Sequence, residues 1–411
     1  MFSRETEALL HKSLPTIPRM VCSRSLKHDI DDLTAMVLPV KTLAIVDDSH
    51  TAQAFGNNIF RALKDRFECI HITLEATPTA NKETIRELQR KTSRCDALVA
   101  SGSGTISDLC KYASFLDKKP YIVFPTAASM NGYLSANASI SEDGYKHTLA
   151  AHMPEAVFCD MSVIAAAPPR LSKSGLGDSL ARPTAQADWL LSHLLLGTPY
   201  NETPFELLKP LEPQLHENAR GIAKGDLPSI ELLMRTLLLS GLGMTIAKGS
   251  YPASQGEHMI AHAYRHPREG GDPATFHGEE IGITTLFMAR LQEQLLKKRP
   301  TLRTLGFPQE EIKKIYGDKI TEEAKKSYRV KQELIEKTNL DASLRWHDII
   351  GRIEPVIIPS AKIHAILKAA ECPDTPEALG WDTKAYQTAI TYARFLRDRF
   401  TFLDIACVSS S

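Results

Sequence analysis

Residues 97–115 read ALVASGSGTISDLCKYASF. Ala97-Leu-Val-Ala100 is a short apolar run of strand type, and Thr105 to Phe115 carries helical spacing. Between them lies the glycine-rich turn Ser101-Gly-Ser-Gly-Thr105. A strand that passes through such a turn into a helix offers backbone N–H groups and the positive end of the helix dipole to an anion. Gly102 and Gly104 have no side chain to block a pyrophosphate, while Ser103 and Thr105 add hydroxyls, and Asp108 and Lys111 follow one turn later. The turn is not the GxGxxG fingerprint, and a plain tight turn would read the same.

On either side the alternation continues. Thr42-Leu-Ala-Ile-Val46 and Cys69-Ile-His-Ile-Thr73 read as earlier strands, and Tyr121-Ile-Val-Phe124 as a later one. The stretches 51–66 and 82–92 between them are amphipathic. Strands separated by helices of this length build βαβ units around a parallel sheet, so residues 1–165 are expected to form an α/β dinucleotide-binding domain. The first of these strands ends in Asp47-Asp48. An acid at that place can accept hydrogen bonds from an adenosine ribose, and Asp48 is the preferred candidate; helix capping ahead of Thr51 is the competing role.

After the APPR stretch at 167–170 the pattern changes. Helical periodicity dominates over 181–196, 230–248, 279–298, 320–338 and 383–402, so residues 166–411 are expected to form an all-α domain. The segment Arg265-His-Pro-Arg-Glu-Gly-Gly-Asp-Pro273 reads as a mobile loop.

Lys and Arg number 49 and Asp and Glu also 49, which leaves no net field to steer nucleic acid or an anionic membrane surface. The seven cysteines are scattered without a CxxC pair, which argues for reduced thiols and a cytoplasmic location. The apolar stretch 230–247 is broken by Glu231, Arg235 and two glycines, so it reads as a buried helix and no membrane span is expected.

Three segments of the second half gather metal-ligating side chains: Gly175-Leu-Gly-Asp178, Gly256-Glu-His258-Met-Ile-Ala-His262 and Phe276-His277-Gly278. His258 and His262 are four apart and share a helix face. One carboxylate and two imidazoles suit Zn²⁺, Fe²⁺ or Ni²⁺ and leave room for a substrate oxygen. Each segment alone has a bland explanation as a turn or a surface helix.

Taken in order, GSGTISDLCKY, FPTAASMNGYLSANASI, GLGDSLARPTAQADWLL, GEHMIAHAY, FHGEEIGITTL and RFLRDRFTFLDIA resemble the sn-glycerol-1-phosphate dehydrogenases. These belong to the superfamily of glycerol dehydrogenase, iron-containing alcohol dehydrogenases and dehydroquinate synthase. The resemblance implies the dehydroquinate synthase-like two-domain architecture, with the active site in the cleft. It implies NAD(P)H, its pyrophosphate on Gly102, Ser103, Gly104 and Thr105, with Asp108 close by, and Thr126 and Ser129 beside the nicotinamide and substrate. It implies one divalent metal ion on Asp178, His258 and His277, with His262 nearby as a proton-transfer aid, and hydride transfer to dihydroxyacetone phosphate. Two departures concern the substrate. Asn131 stands where the family has aspartate, and Arg182, followed by Pro183, stands where lysine is common. Pro183 disfavours helical geometry at Arg182, which could otherwise grip phosphate. A homodimer or larger homo-oligomer is expected. The alternatives are a glycerol dehydrogenase, a dehydroquinate-synthase-like cyclase and a non-catalytic nucleotide binder; Asp178 in place of glutamate argues against the cyclase, and the intact ligand set against the last.

Overall fold

The computed structural model of the chain describes residues 1–142, 145–266, 275–297, 306–337 and 346–406. The 265–273 loop thus lies almost wholly outside the described residues, as does Cys407. The chain divides into two compact units, one of 1–179 with 206–249 and one of 180–205 with 250–411.

The first unit is built on β1 (Arg19–Ser23), β2 (Thr42–Asp48), β3 (Glu68–Leu74), β4 (Ala97–Gly102), β5 (Tyr121–Pro125) and β8 (Ala156–Asp160). These form one parallel sheet in the order β1-β8-β5-β4-β2-β3. A two-stranded antiparallel hairpin, β6 (Asn137–Glu142) and β7 (Tyr145–Ala150), stands apart from it. The central strands are apolar at successive positions because both faces are covered, and Leu43–Val46 and Ala97–Ala100 are fully buried. Leu43, Ile45, Val99, Ile122, Phe124 and Phe158 share one core with Phe55, Ile59 and Leu63 of the following helical stretch.

The four strands read from sequence are present. The edge strand β1 and the strand β8 were missed, since RMVCS and AVFCD show neither clean alternation nor a β-branched run. The glycine-rich turn therefore follows the fourth strand in chain order rather than the third. From β2 the chain moves to β3 on one side and then crosses back to β4 on the other. The carboxyl ends of β2 and β4 thus flank a topological switch point, the place where open α/β sheets bind ligands.

Among its described residues the second unit contains helices and connecting segments but no strand. Its centre is the carboxylate of Asp188, in the helix Arg182–Leu196, which accepts from Gly256 N (3.0 Å), Phe402 N (3.0 Å) and Gln292 Nε2 (3.3 Å). One buried group thereby ties four segments of the unit together, and no apolar side chain could do that. Pro183 does not break its helix: it occupies the first turn, where a missing N–H costs nothing, and Arg182 is helical. The helix expected over 383–402 stops at Tyr392, and a 3-10 turn at 393–395 leads into an irregular segment. Among the described residues one helix, Leu227–Ile246, is long and apolar enough to cross a membrane, and it is mostly buried inside the first unit.

Candidate functional site

At the end of β4, Gly102 leads through Ser103 into the helix Gly104–Asp117. A Cβ on Gly102 would lie 2.6 Å from Ile106 Cβ, so the turn closes this tightly only with glycine there. Ser103 is the N-cap but makes no side-chain cap bond, so its hydroxyl does not occupy the first-turn N–H groups. Thr126 N donates to Gly102 O (3.2 Å), so the segment after β5 starts directly beside the turn.

The two neighbouring acids behave differently. Asp48 Oδ1 accepts from His50 N and Thr51 N, both at 2.9 Å, so it caps the short helix that follows β2. Asp47 is fully buried against His71 Nε2 (2.6 Å), and burial pushes its carboxyl above the ordinary value. Asp108 pairs with the buried Lys111 (3.4 Å) and accepts from Ser139 N (3.3 Å). Lys111 also donates to Gly132 O (2.6 Å) and Asn137 O (3.0 Å). That group of bonds clamps residues 132–139, a structural task beside any cofactor contact.

Residues 126–135 are irregular, with Thr126 buried and Ser129 and Asn131 partly exposed. Two helices meet them through glycine. A Cβ on Gly175 would fall 2.0 Å from Ala128 O, and one on Gly241 2.8 Å from Asn131 O. Backbone thus rests on backbone, and Asn131 N donates to Asp178 Oδ2 at 3.1 Å.

In the helical unit, His258 and His262 lie one turn apart on Gly256–Arg265, and His277 opens His277–Leu296. Their ring centroids are 5.1 Å apart for His258 and His277, 6.1 Å for His258 and His262, and 5.9 Å for His262 and His277. His258 Nδ1 bonds the carboxylate of Glu257 (2.9 Å), which can only accept; the ring proton is therefore on Nδ1, and Nε2 offers a lone pair. Glu257 is fully buried. Burial pushes its carboxyl up, but the bond from His258 and the Gln255 backbone N–H (2.6 Å) outweigh that and hold it below its ordinary value. The start of the helix that His277 opens is tied down by Glu280, whose Oε1 accepts from Arg265 Nε and Thr275 Oγ1, both at 2.7 Å.

In the second unit His258 and His277 face each other as candidate ligands, and in the first Asp178 is buried with its Oδ2 accepting from Asn131 N. Two imidazoles held this close, one with its second nitrogen already bonded, fit the nitrogen side of a divalent-ion site. Arg182 donates to Gln186 Oε1 (2.8 Å) and sits 5.9 Å over the Phe205 ring, and burial lowers its guanidinium to about 9. Glu257, Glu280 and Arg265 escaped the sequence reading. The available signal was Glu257 itself, an acid inside an otherwise apolar helix start, next to a candidate ligand.

Residues 28–168 match the family described as iron-containing alcohol dehydrogenase. A glycerol-1-phosphate dehydrogenase [NAD(P)+] of Thermococcus sibiricus is 33% identical over 297 residues, covering 72% of this chain and 84% of its own length. The chain belongs to the glycerol-1-phosphate dehydrogenase family. Another member, from Pyrococcus horikoshii, is 36% identical over 260 residues, covering 63% of this chain and 74% of its own. Among solved structures, a probable glycerol dehydrogenase from Sinorhizobium meliloti 1021 covers 92% of this chain and 98% of its own, with TM-score 0.54 and 21% identity. At that identity the likeness speaks for the fold: the glycerol dehydrogenase arrangement of a parallel α/β part and a helical part.

Proposed function

We propose that this chain reduces dihydroxyacetone phosphate to sn-glycerol 1-phosphate with NAD(P)H, and catalyses the reverse, using one divalent ion held by Asp178, His258 and His277. The observation that carries this reading is the histidine pair His258 and His277, with ring centroids 5.1 Å apart and Glu257 bonded to the first ring, in a chain whose relatives are named glycerol-1-phosphate dehydrogenase. Residues 1–165 take the nucleotide, with Asp48 toward the ribose, Gly102, Ser103, Gly104 and Thr105 at the pyrophosphate, Asp108 behind them, and Thr126 and Ser129 toward the nicotinamide. Residues 166–411 take the metal and substrate.

A divalent ion at this set, Zn²⁺, Ni²⁺ or Fe²⁺, supplies Lewis-acid polarisation of the ketone, and the reduced nicotinamide supplies the hydride. The chain's own groups orient and transfer protons. Glu257 holds the His258 ring with Nε2 presented, and Glu280 with Arg265 fixes the start of the helix that carries His277. The Asn131 amide bonds Asp178 and so couples the segment after β5 to the carboxylate. Asn131 and Arg182 contact the substrate in this reading. Asparagine keeps a hydrogen bond where the family aspartate would add charge, so the proton for the product oxygen comes through water, assisted by His262. A cytoplasmic homodimer or larger homo-oligomer completes the proposal.

The decisive experiment loads the purified protein separately with each of the three metals, supplies NADH or NADPH with dihydroxyacetone phosphate, and determines product chirality. Formation of sn-glycerol 1-phosphate supports the reading. Formation of the other enantiomer, or preferential turnover of unphosphorylated glycerol, overturns it.

A further inference from the structure

Two arginines of the segment after the 3-10 turn, Arg397 and Arg399, have no role in the account above. Arg399 is an anchor: its guanidinium lies 4.5 Å over the Tyr251 ring and donates to Ser254 O and to Ser250 Oγ (2.9 Å). On the far side Phe402 N is tied to Asp188 Oδ1 (3.0 Å). Between these ties the backbone at 397–399 has little freedom, and it delivers Arg397 to the histidine face. Arg397 Nη1 donates to Ser254 Oγ (3.3 Å), and Nη2 reaches His262 Nδ1 at 3.5 Å. A hydroxyl and a ring nitrogen are its bonded partners, so its charge meets no carboxylate within ion-pair reach among the described residues. The side chain is only partly buried and remains open to a ligand.

A guanidinium that is held in place, partly desolvated and without a counter-ion is ready to receive an oxyanion with a bidentate fork. We propose that Arg397 is the residue that recognises the phosphate of the substrate. This rests on the function proposed above and assigns the phosphate specificity within it. The distances agree. In a triose phosphate the ketone oxygen and the phosphorus are four bonds apart, roughly 4–5 Å at ordinary bond lengths. His262 lies 6.1 Å and 5.9 Å from the rings of His258 and His277. A ketone at those two rings therefore carries its phosphate to the level of the His262 ring, which Arg397 reaches. Arg182 is a weaker candidate for that charge, since it is already engaged with Gln186 and packed over Phe205.

The test assays zinc-loaded wild type, Arg397→Met, Arg397→Lys and Arg182→Met with NADH on dihydroxyacetone phosphate and on dihydroxyacetone. The quantity read is the ratio of kcat/KM for the two ketones, in which the active fraction of each preparation cancels. Arg397→Met should lower that ratio about 10- to 100-fold, the size of one charged hydrogen bond. Arg397→Lys should lower it less, because lysine keeps the charge without the fork. Inorganic phosphate should raise the Tm of zinc-loaded wild type and leave that of Arg397→Met unmoved. Should the methionine variant not fold, the lysine variant decides by the same ratio. A ratio unchanged in the Arg397 variants, or one that falls further in Arg182→Met, overturns the assignment. A wild type without preference for the phosphorylated ketone instead overturns the proposed function itself, and that result needs no variant.

Discussion

The segment after β5 and the histidine face of Gly256–Arg265 are held by opposite means. In the α/β unit, residues 126–135 lie where glycine lets backbone rest on backbone, at Gly175 against Ala128 O and Gly241 against Asn131 O. In the helical unit, the buried carboxylate of Glu257 bonds the His258 ring, Glu280 ties the start of the His277 helix to Arg265, and Asp188 ties the helices together. Steric docking of main chain allows no added atom but costs no desolvation. A buried carboxylate costs desolvation, offset only where enough donors converge on it. The first device sets position to a fraction of an ångström; the second sets ring orientation and proton placement, which metal ligation requires.

The largest effect that would break this contrast is at Gly175. Gly175→Val puts carbon within 2.0 Å of the Ala128 carbonyl oxygen, a backbone atom that cannot rotate away. Urea unfolding should show a loss of ~3 kcal/mol or outright failure to fold, more than the usual overpacking penalty. Glu257→Ala comes next. The fold should survive while metal affinity, read by competition with a chelator, weakens about 10- to 100-fold through loss of the bond that orients His258. His262→Ala tests the other ring on the same face: turnover should fall while bound metal stays near stoichiometric, and loss of metal would make His262 a ligand.

The smallest effect sharpens the carboxylate side. Glu257 has enough donors to sit below its ordinary value, whereas Asp47, buried in the α/β unit with His71, sits above it. A carboxyl raised in the folded state contributes stability that is fully present below its unfolded value near 3.8 and lost as pH rises through the folded one. Asp47→Asn cannot ionise. In urea titrations from pH 4 upward, wild type should therefore lose stability relative to Asp47→Asn as the pH climbs through that raised value. A constant difference across the range would mean that burial does not govern this carboxyl.

Much was determined by sequence alone: the alternation of strands and helices up to residue 165, the helical second half, and the residue types of the ligand set. Periodicity carries the first two because every strand buried on both faces must be apolar, and every helix on a core must be so on one side. The ordered motifs carry the third. Tertiary structure alone decided the rest. RMVCS and AVFCD become strands because partners exist for them, since among the described residues β1 pairs with β8 alone and has no hydrophobic pattern of its own. Pro183 falls harmlessly in a first turn, a matter of where the helix begins rather than of what proline disfavours. Above all, whether Glu257 orients a ring and whether Arg397 reaches His262 depends on contacts 1 and 135 residues apart in the chain. No local pattern encodes the second of these, because only the packed helices bring Arg397 to that ring.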